Sequence, residues 1–351
     1  MKQGKTLKEL AAEILRQRET RRDFVADTRH TRMTPERGLE LENGDGDLSF
    51  TISPVAHNQI AQRLEIPKRF YDRMLDKHPD VLTNTVNALF QREPDQRMIR
   101  TLDGRVRAFL SDRYRPLDND ELAEVVFPAL AELDVEILSC EITERRLYIK
   151  FASVSLEREV RVGDTIRAGG VLSNSEVGLG SLRIDDLDYR LVCKNGMIRE
   201  TVSRTSHLGR VTGMDGIDAS EFFKDETRAA DDRALMLKLR DTVRGMFSPE
   251  RFEARISQYQ KAVEEKIEQP IETVQVLQKR RALTDGQRDS ILTHLLQGND
   301  LSRWGLANAV TRSSQGIEDY DQATELEKLG GRVIELSGKD WSRIAGEAEA
   351  A

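Results

Sequence analysis

Asp185, Asp186 and Asp188 form the densest acidic group beside a base-rich stretch, and Asp186 shares one strand face with Asp188. Two carboxylates so placed could hold Mg²⁺ for phosphodiester hydrolysis. The simpler role is to balance Arg183 and Arg190 across a sheet. The histidines His30, His57, His78, His207 and His294 are scattered, with no metal-ligand spacing to Cys, Asp or one another, so a zinc centre is not expected. Ser173 and Ser203 lie near bases but have no His or Asp at an interpretable spacing. Gly163, Gly169, Gly170, Gly178 and Gly180 do not form a phosphate loop that opens a helix. Within strands, such glycines mark bulges or close backbone approach. The chemistry therefore leans to binding over catalysis, with no catalytic residue and no cofactor expected.

Bases and aromatics give the clearer pattern. Side chains alternate faces along a strand. In 105–111, Val106, Ala108 and Leu110 point one way and Arg105, Arg107 and Phe109 the other. In the strand from Arg145, the apolar face is Leu147, Ile149 and Phe151, which leaves Arg146, Tyr148 and Lys150 outside. In 182–193, Leu187, Tyr189, Leu191 and Cys193 look inward, and Asp186, Asp188, Arg190 and Lys194 outward. With the turn Arg113-Tyr114-Arg115, these strands predict a basic, aromatic-bearing surface. Cations that neutralise phosphates and rings on which bases stack are what a sequence-tolerant single-strand binder uses. The alternative is a solvated sheet face that carries the same residues for solubility.

Four segments position these residues. Residues 1–37 read as a short helix (Leu7, Leu10, Ile14) followed by an Arg-rich arm; 38–95 as a hairpin around Asn43-Gly44, then helices opened by Ser53-Pro54. Residues 96–212 read as a β-rich core with one covering helix over Asp118–Leu133, and Asn195-Gly196 as turn residues. Residues 213–351 are helical in period, with stops at Ser248-Pro249, Pro270, Thr284 to Gly286 and a glycine cap at Gly330-Gly331. Trp304, Asn308 and Thr311 share a helical face toward which Leu326 and Leu329 could pack, as an internal hairpin or as a pair that docks a neighbouring subunit. The expected fold class is α+β: a central, mostly antiparallel sheet with covering helices, then an all-helical C-terminal region.

Net charge is −7 with 33% charged residues, which does not describe a nucleic-acid binder as a whole. The average hides blocks. Residues 97–116 hold six Arg against two Asp, 117–141 hold eight acids and no base, and 142–210 hold twelve bases against nine acids. From 211 onward, twenty bases meet twenty-six acids, so local basic strips on an acidic chain are compatible with a phosphate-binding groove. Cys140 and Cys193 both sit in apolar strand patterns and fit a reducing compartment. No apolar run reaches membrane-spanning length, and Met1 to Leu10 lacks the apolar core of a secretory signal, so a cytoplasmic location is expected.

Five stretches carry a family resemblance: Phe109-Leu-Ser-Asp-Arg-Tyr-Arg-Pro-Leu-Asp-Asn, Gly170-Val-Leu-Ser-Asn-Ser-Glu-Val-Gly, Arg190-Leu-Val-Cys-Lys-Asn-Gly-Met, Trp304-Gly-Leu-Ala-Asn-Ala-Val-Thr and Asp319-Tyr-Asp-Gln-Ala-Thr-Glu-Leu-Glu. In their order and spacing the chain resembles the phage/plasmid-like proteins of the domain of unknown function 932 family. The resemblance implies a mobile-element origin and transfers no catalytic residues. In layout alone the chain is similar to phage single-strand annealing proteins of the RecT and Red-beta kind. The expected function is single-stranded nucleic-acid binding in strand annealing, recombination or replication by a homo-oligomer. Arg105, Arg107, Arg113, Arg115, Arg146, Lys150, Arg190 and Lys194 would contact phosphates, and Phe109, Tyr114 and Tyr148 would stack on bases. The alternatives are a metal-dependent nuclease built on Asp186 and Asp188, and a protein-interaction module, such as an inhibitor of host defence, that engages a host protein.

Overall fold

The computed structural model of the chain describes residues 1–42, 46–205 and 225–346. The fold is α+β, with two mostly antiparallel sheets in place of the one expected, and residues 233–345 are entirely helical. Among the described residues no helix is long and apolar enough to cross a membrane.

Helix α1 (Leu7–Thr20) starts at a capping box between Thr6 and Glu9 and buries Leu10 and Ile14. The Arg-rich stretch behind it is a strand and not an arm. β1 (Arg22–Asp27) pairs antiparallel with β5 (Gln96–Leu102), which pairs with β6 (Arg105–Ser111). β2 (Thr31–Met33), β3 (Gly38–Leu41) and β4 (Leu48–Ile52) complete this first sheet, in the order β1-β5-β6-β4-β3-β2. The hairpin expected around Asn43-Gly44 is the antiparallel pair β3 and β4; its turn lies outside the described residues, as does His207. Ser53 caps α2 (Pro54–Arg63) through the Ala56 N–H. With α3 (Lys68–Lys77) and α4 (Pro79–Arg92), that helix covers the sheet over a core that includes Ile60, Tyr71, Phe90, Ile99 and Phe109.

The 96–212 segment is therefore divided: β5 and β6 belong to the first sheet, and only the strands after α5 (Asn119–Ala131) form the second. That sheet is a meander of β7 (Val135–Ile142), β8 (Leu147–Arg161), β9 (Asp164–Asn174), β10 (Leu182–Arg190) and β11 (Asn195–Thr205). Asn195-Gly196 opens β11, and the turn falls at 191–194, where Lys194 takes the positive φ of 51°. Cys193 thus lies in a turn and not in a strand.

Helices α6 (Asp225–Gly245), α7 (Pro249–Glu264), α8 (Pro270–Arg281), α9 (Asp285–Gln297), α10 (Arg303–Ser313), α11 (Tyr320–Glu335) and α12 (Gly338–Ala345) follow. Caps at Ser248, Thr284, Ser302 and Asp319 accept backbone N–H groups that the first helical turn leaves unpaired. Leu147, Ile149 and Phe151 on one face of β8 meet α1, α5 and α6. Tyr148 and Ala152 on the other face meet Tyr320 of α11. Both faces are therefore covered.

Gly330-Gly331 does not end α11, which continues to Glu335. A Cβ at Gly331 would overlap the Ile198 carbonyl oxygen, and one at Gly330 would overlap the Thr311 methyl group. These glycines let α11 lie directly on β11 and α10. Trp304 shares one core with Leu326 and Leu329, and the Asn308 side-chain amide donates to the Trp304 carbonyl at 2.9 Å. The pair is an internal hairpin, and the face considered for a neighbouring subunit is filled by this chain.

Candidate functional site

The expected basic face is not a solvent face. In β8 the parity holds, since Tyr148 and Lys150 oppose Leu147 and Ile149, but α11 lies on top of them. Lys150 is fully buried and donates to Glu327 at 2.6 Å and to Thr324 at 3.1 Å. Burial pulls the Lys150 pKa below the usual lysine range, and the Glu327 carboxylate opposes that shift. The Tyr148 hydroxyl donates to Asp321 at 2.8 Å, and burial raises its pKa. Lys150 is closed to any base or phosphate, and Tyr148, 2% exposed, reaches only the wall of a cavity and offers no open face for stacking.

In β6 the parity itself breaks. A bulge opposite Arg100 and Thr101 leaves Arg107 as the extra residue, so Val106 and Phe109 face the same core. Phe109 stacks on Phe90 with ring centroids 5.7 Å apart. Arg107 is 9% exposed and donates to Glu176 at 2.7 Å. Glu176 also accepts the Asn119 backbone N–H at 2.8 Å, while Arg100 reaches its carbonyl and the Asp23 and Asp118 carboxylates. Tyr114 is buried, donates to the Ser175 carbonyl at 3.2 Å and has its pKa pushed up to about 12 by that burial. Arg113 is exposed and Arg115 half-buried in the following loop, and exposed Arg105 stands 3.5 Å from Glu144.

The aspartate pair is equally committed. Asp186 and Asp188 do point away from Leu187, but toward α7. Arg255 Nε donates to Asp188 at 3.1 Å, the Tyr259 hydroxyl to its second oxygen, and Arg251 to Asp186 at 3.0 Å. The carboxylates balance α7, not Arg183 and Arg190. Arg183 pairs with Asp185, and Arg190 makes a two-pronged pair with Asp164. Among the described residues, no group of three or more His, Cys, Asp or Glu could hold a metal ion.

What remains accessible lies in turns and helix ends. A cavity of about 420 Å³ opens where the 191–194 turn meets α9 and α10. Arg161, Arg190, Lys194 and Arg312 line it with a single carboxylate, Asp300. Arg161 bonds Asp300 at 2.9 Å, and Arg190 is held by Asp164, which also accepts the Trp304 indole N–H at 3.0 Å. Arg312 donates to the Cys193 carbonyl at 2.9 Å and to Gln315 at 2.6 Å, and it makes no ion pair among the described residues. Lys194 is exposed and likewise makes none. His294 also lines the cavity, with its pKa lowered by burial and by the Arg312 charge.

Of the sequence candidates, Arg190 and Lys194 reach this cavity. Arg161 and Arg312 were missed, because one ends a hairpin and the other lies on a helix more than a hundred residues away. A second cavity, of about 520 Å³, contains Arg146 and Tyr148 on its wall beside Arg145, Arg281 and Arg332. Gly180 provides the room for the Arg146 guanidinium, which donates to the Leu179 carbonyl. No protein-family model matches the chain, and neither a curated protein nor a solved structure matches it significantly.

Proposed function

We propose that the chain binds single-stranded nucleic acid, with backbone phosphates entering the cavity lined by Arg161, Arg190, Lys194 and Arg312. The observation that carries this reading is that Lys194 and Arg312 line a concave site without an acidic partner among the described residues, while the cations around them are paired. The exposed Lys194 ammonium is available to an incoming phosphate without breaking an internal bond, and Arg312 is held beside it by neutral acceptors, with its charge unpaired among the described residues. A single strand can bend its backbone into such a recess, and Val162 and Val192, both exposed on adjoining turns, offer apolar contact to an unpaired base.

The sequence supports the same site. Arg190–Met197 and Trp304–Thr311, two of the stretches that resemble phage- and plasmid-type proteins, both supply lining residues. A mobile-element role in recombination or replication, in the cytoplasm, is the setting we propose. Cys140 and Cys193 are free thiols, as a reducing compartment would leave them.

The test is a salt-titrated anisotropy measurement with a labelled oligodeoxythymidine. Lys194→Glu is expected to weaken binding roughly tenfold and to flatten the plot of log affinity against log salt by about 0.7 for the lost contact. A duplex of the same length should compete poorly. Absence of strand binding at low salt, or a Lys194→Glu protein that binds as the parent does, would overturn the reading.

A further inference from the structure

The 520 Å³ cavity has a different chemistry from the first, and its walls come from four places far apart in the chain. Arg145 lies in the turn between β7 and β8, Arg281 ends α8, and the floor is α11. Arg145 and Arg281 are both exposed, and neither makes an ion pair or side-chain hydrogen bond among the described residues. Arg146 and Arg332 are tied down, to the Leu179 carbonyl and to Glu200 at 2.7 Å. Two fixed and two unengaged guanidinium groups thus stand at one opening. Ala282, which turns the chain from α8 toward α9, takes a left-handed φ of 50°, so the backbone that presents Arg281 is bent against its ordinary preference.

Below the arginines the cavity is apolar. Leu326 and Leu329 are buried on the floor, and Leu179 and Leu283 are half-buried at the sides. The other polar groups of the lining are mostly engaged: Asp321 accepts the Tyr148 hydroxyl at 2.8 Å, and Glu325 pairs with Lys328 at 2.7 Å. The Gln287 carbonyl is taken by the Thr284 N–H of the capping box, which leaves its amide nitrogen as the donor. Gln322 and Glu325 are exposed on the α11 side. A flat apolar body of a few hundred cubic ångströms, with a polar edge and one strongly anionic group, matches this lining. Guanidinium forks suit phosphate, while glutamine and glutamate side chains suit the donors and acceptors of a base edge.

We propose that this cavity binds a nucleoside monophosphate unit, with the phosphate between Arg145 and Arg281 and the base against Leu283, Leu326 and Leu329. The proposal does not rest on strand binding at the first cavity. The unit has two sources of the same chemistry: a free nucleotide, or the 5′-phosphorylated terminal nucleotide of a strand.

Calorimetric titration of the full chain with the deoxynucleoside monophosphates and with inorganic phosphate tests the first source. The second is tested by comparing oligodeoxythymidines with and without a 5′-phosphate. The site is supported if at least one nucleoside monophosphate binds roughly tenfold more tightly than inorganic phosphate, or if the 5′-phosphate strengthens strand binding to a similar degree. Arg145→Ala with Arg281→Ala should remove either effect with the melting temperature unchanged, because both side chains are exposed. Lys194→Glu should leave nucleotide binding intact, which separates this site from the first. Silence from every nucleotide and no effect of the 5′-phosphate would overturn the proposal. So would equal affinity for inorganic phosphate, or a double arginine variant that behaves as the parent.

Discussion

At the scale of single residues, most ionisable groups that could have served a ligand are spent on the protein itself. His57 is an example. It bonds the Tyr71 hydroxyl at 2.9 Å inside the first core, and its pKa is lowered to about 4 by burial first and by the nearby Arg37 and Lys68 charges second. A free imidazole titrates near 6.5. As pH falls from about 6.5 to about 4, the unfolded chain takes up a proton that the folded chain refuses. The unfolded state therefore binds more protons in that window, and stability should fall as pH falls through it. Urea midpoints measured across this range should show that decline, and His57→Gln should flatten it. An identical decline in the variant would assign the effect to other groups.

At the scale of elements, glycines that look alike in sequence do opposite things. Gly286 stands in the first turn of α9 with open space around it, whereas Gly331 presses α11 against the Ile198 carbonyl. Gly286→Ala should stabilise the protein by roughly 0.5–1 kcal/mol, the usual gain from removing backbone freedom within a helix. Gly331→Ala should destabilise it by about 1–3 kcal/mol, because the added methyl must push a helix off a strand. Thermal melts of the two variants check both signs. A Gly331→Ala protein as stable as the parent would mean that α11 can retreat from β11 at no cost.

The same scale shows how far local signals reach. Ser53-Pro54 specifies a helix start through the Ser53 cap, and α2 begins where those residues imply, whereas Thr284 to Gly286, read as a stop, caps and opens α9 through the pairing of Thr284 with Gln287. The parity of β8 was also legible, because alternation is a property of the strand alone. The bulge at Arg107 was not. It depends on how many residues of β5 stand opposite, which no inspection of β6 reveals.

At the scale of the whole molecule, the charge blocks prove to be complementary parts of one interior. Base-rich strands meet acids from other blocks: Arg100 and Arg107 meet Asp118 and Glu176, Lys150 meets Glu327, and Arg199 meets Glu335 at 2.9 Å. The C-terminal helices carry the surplus of acid, and part of it docks on the sheet. Taking both charges of Lys150 and Glu327 out of water is costly, and leaving one alone is costlier. Glu327→Gln should therefore lose about 3–5 kcal/mol, and Lys150→Met with Glu327→Leu should recover most of that loss. Chemical denaturation of the parent, the single and the double variant measures both. A Glu327→Gln change that costs under about 1 kcal/mol would contradict the pairing as a determinant of docking.

The sequence by itself determined what neighbouring residues can enforce: helix caps, strand positions, face alternation and the α+β class with its helical C-terminal region. Only the tertiary structure decided which faces meet water. Tyr148 and Lys150 have the same alternation whether their face is solvated or covered, and the covering residues Asp321 and Glu327 lie more than 170 positions away. The cavities arise in the same way. Lys194 and Arg312 line one cavity, and Arg145 and Arg281 another, only because separate turns and helix ends are brought together by a core whose contacts are non-local. Exposure is set by whatever packs against an element, and that is a property of the assembled chain.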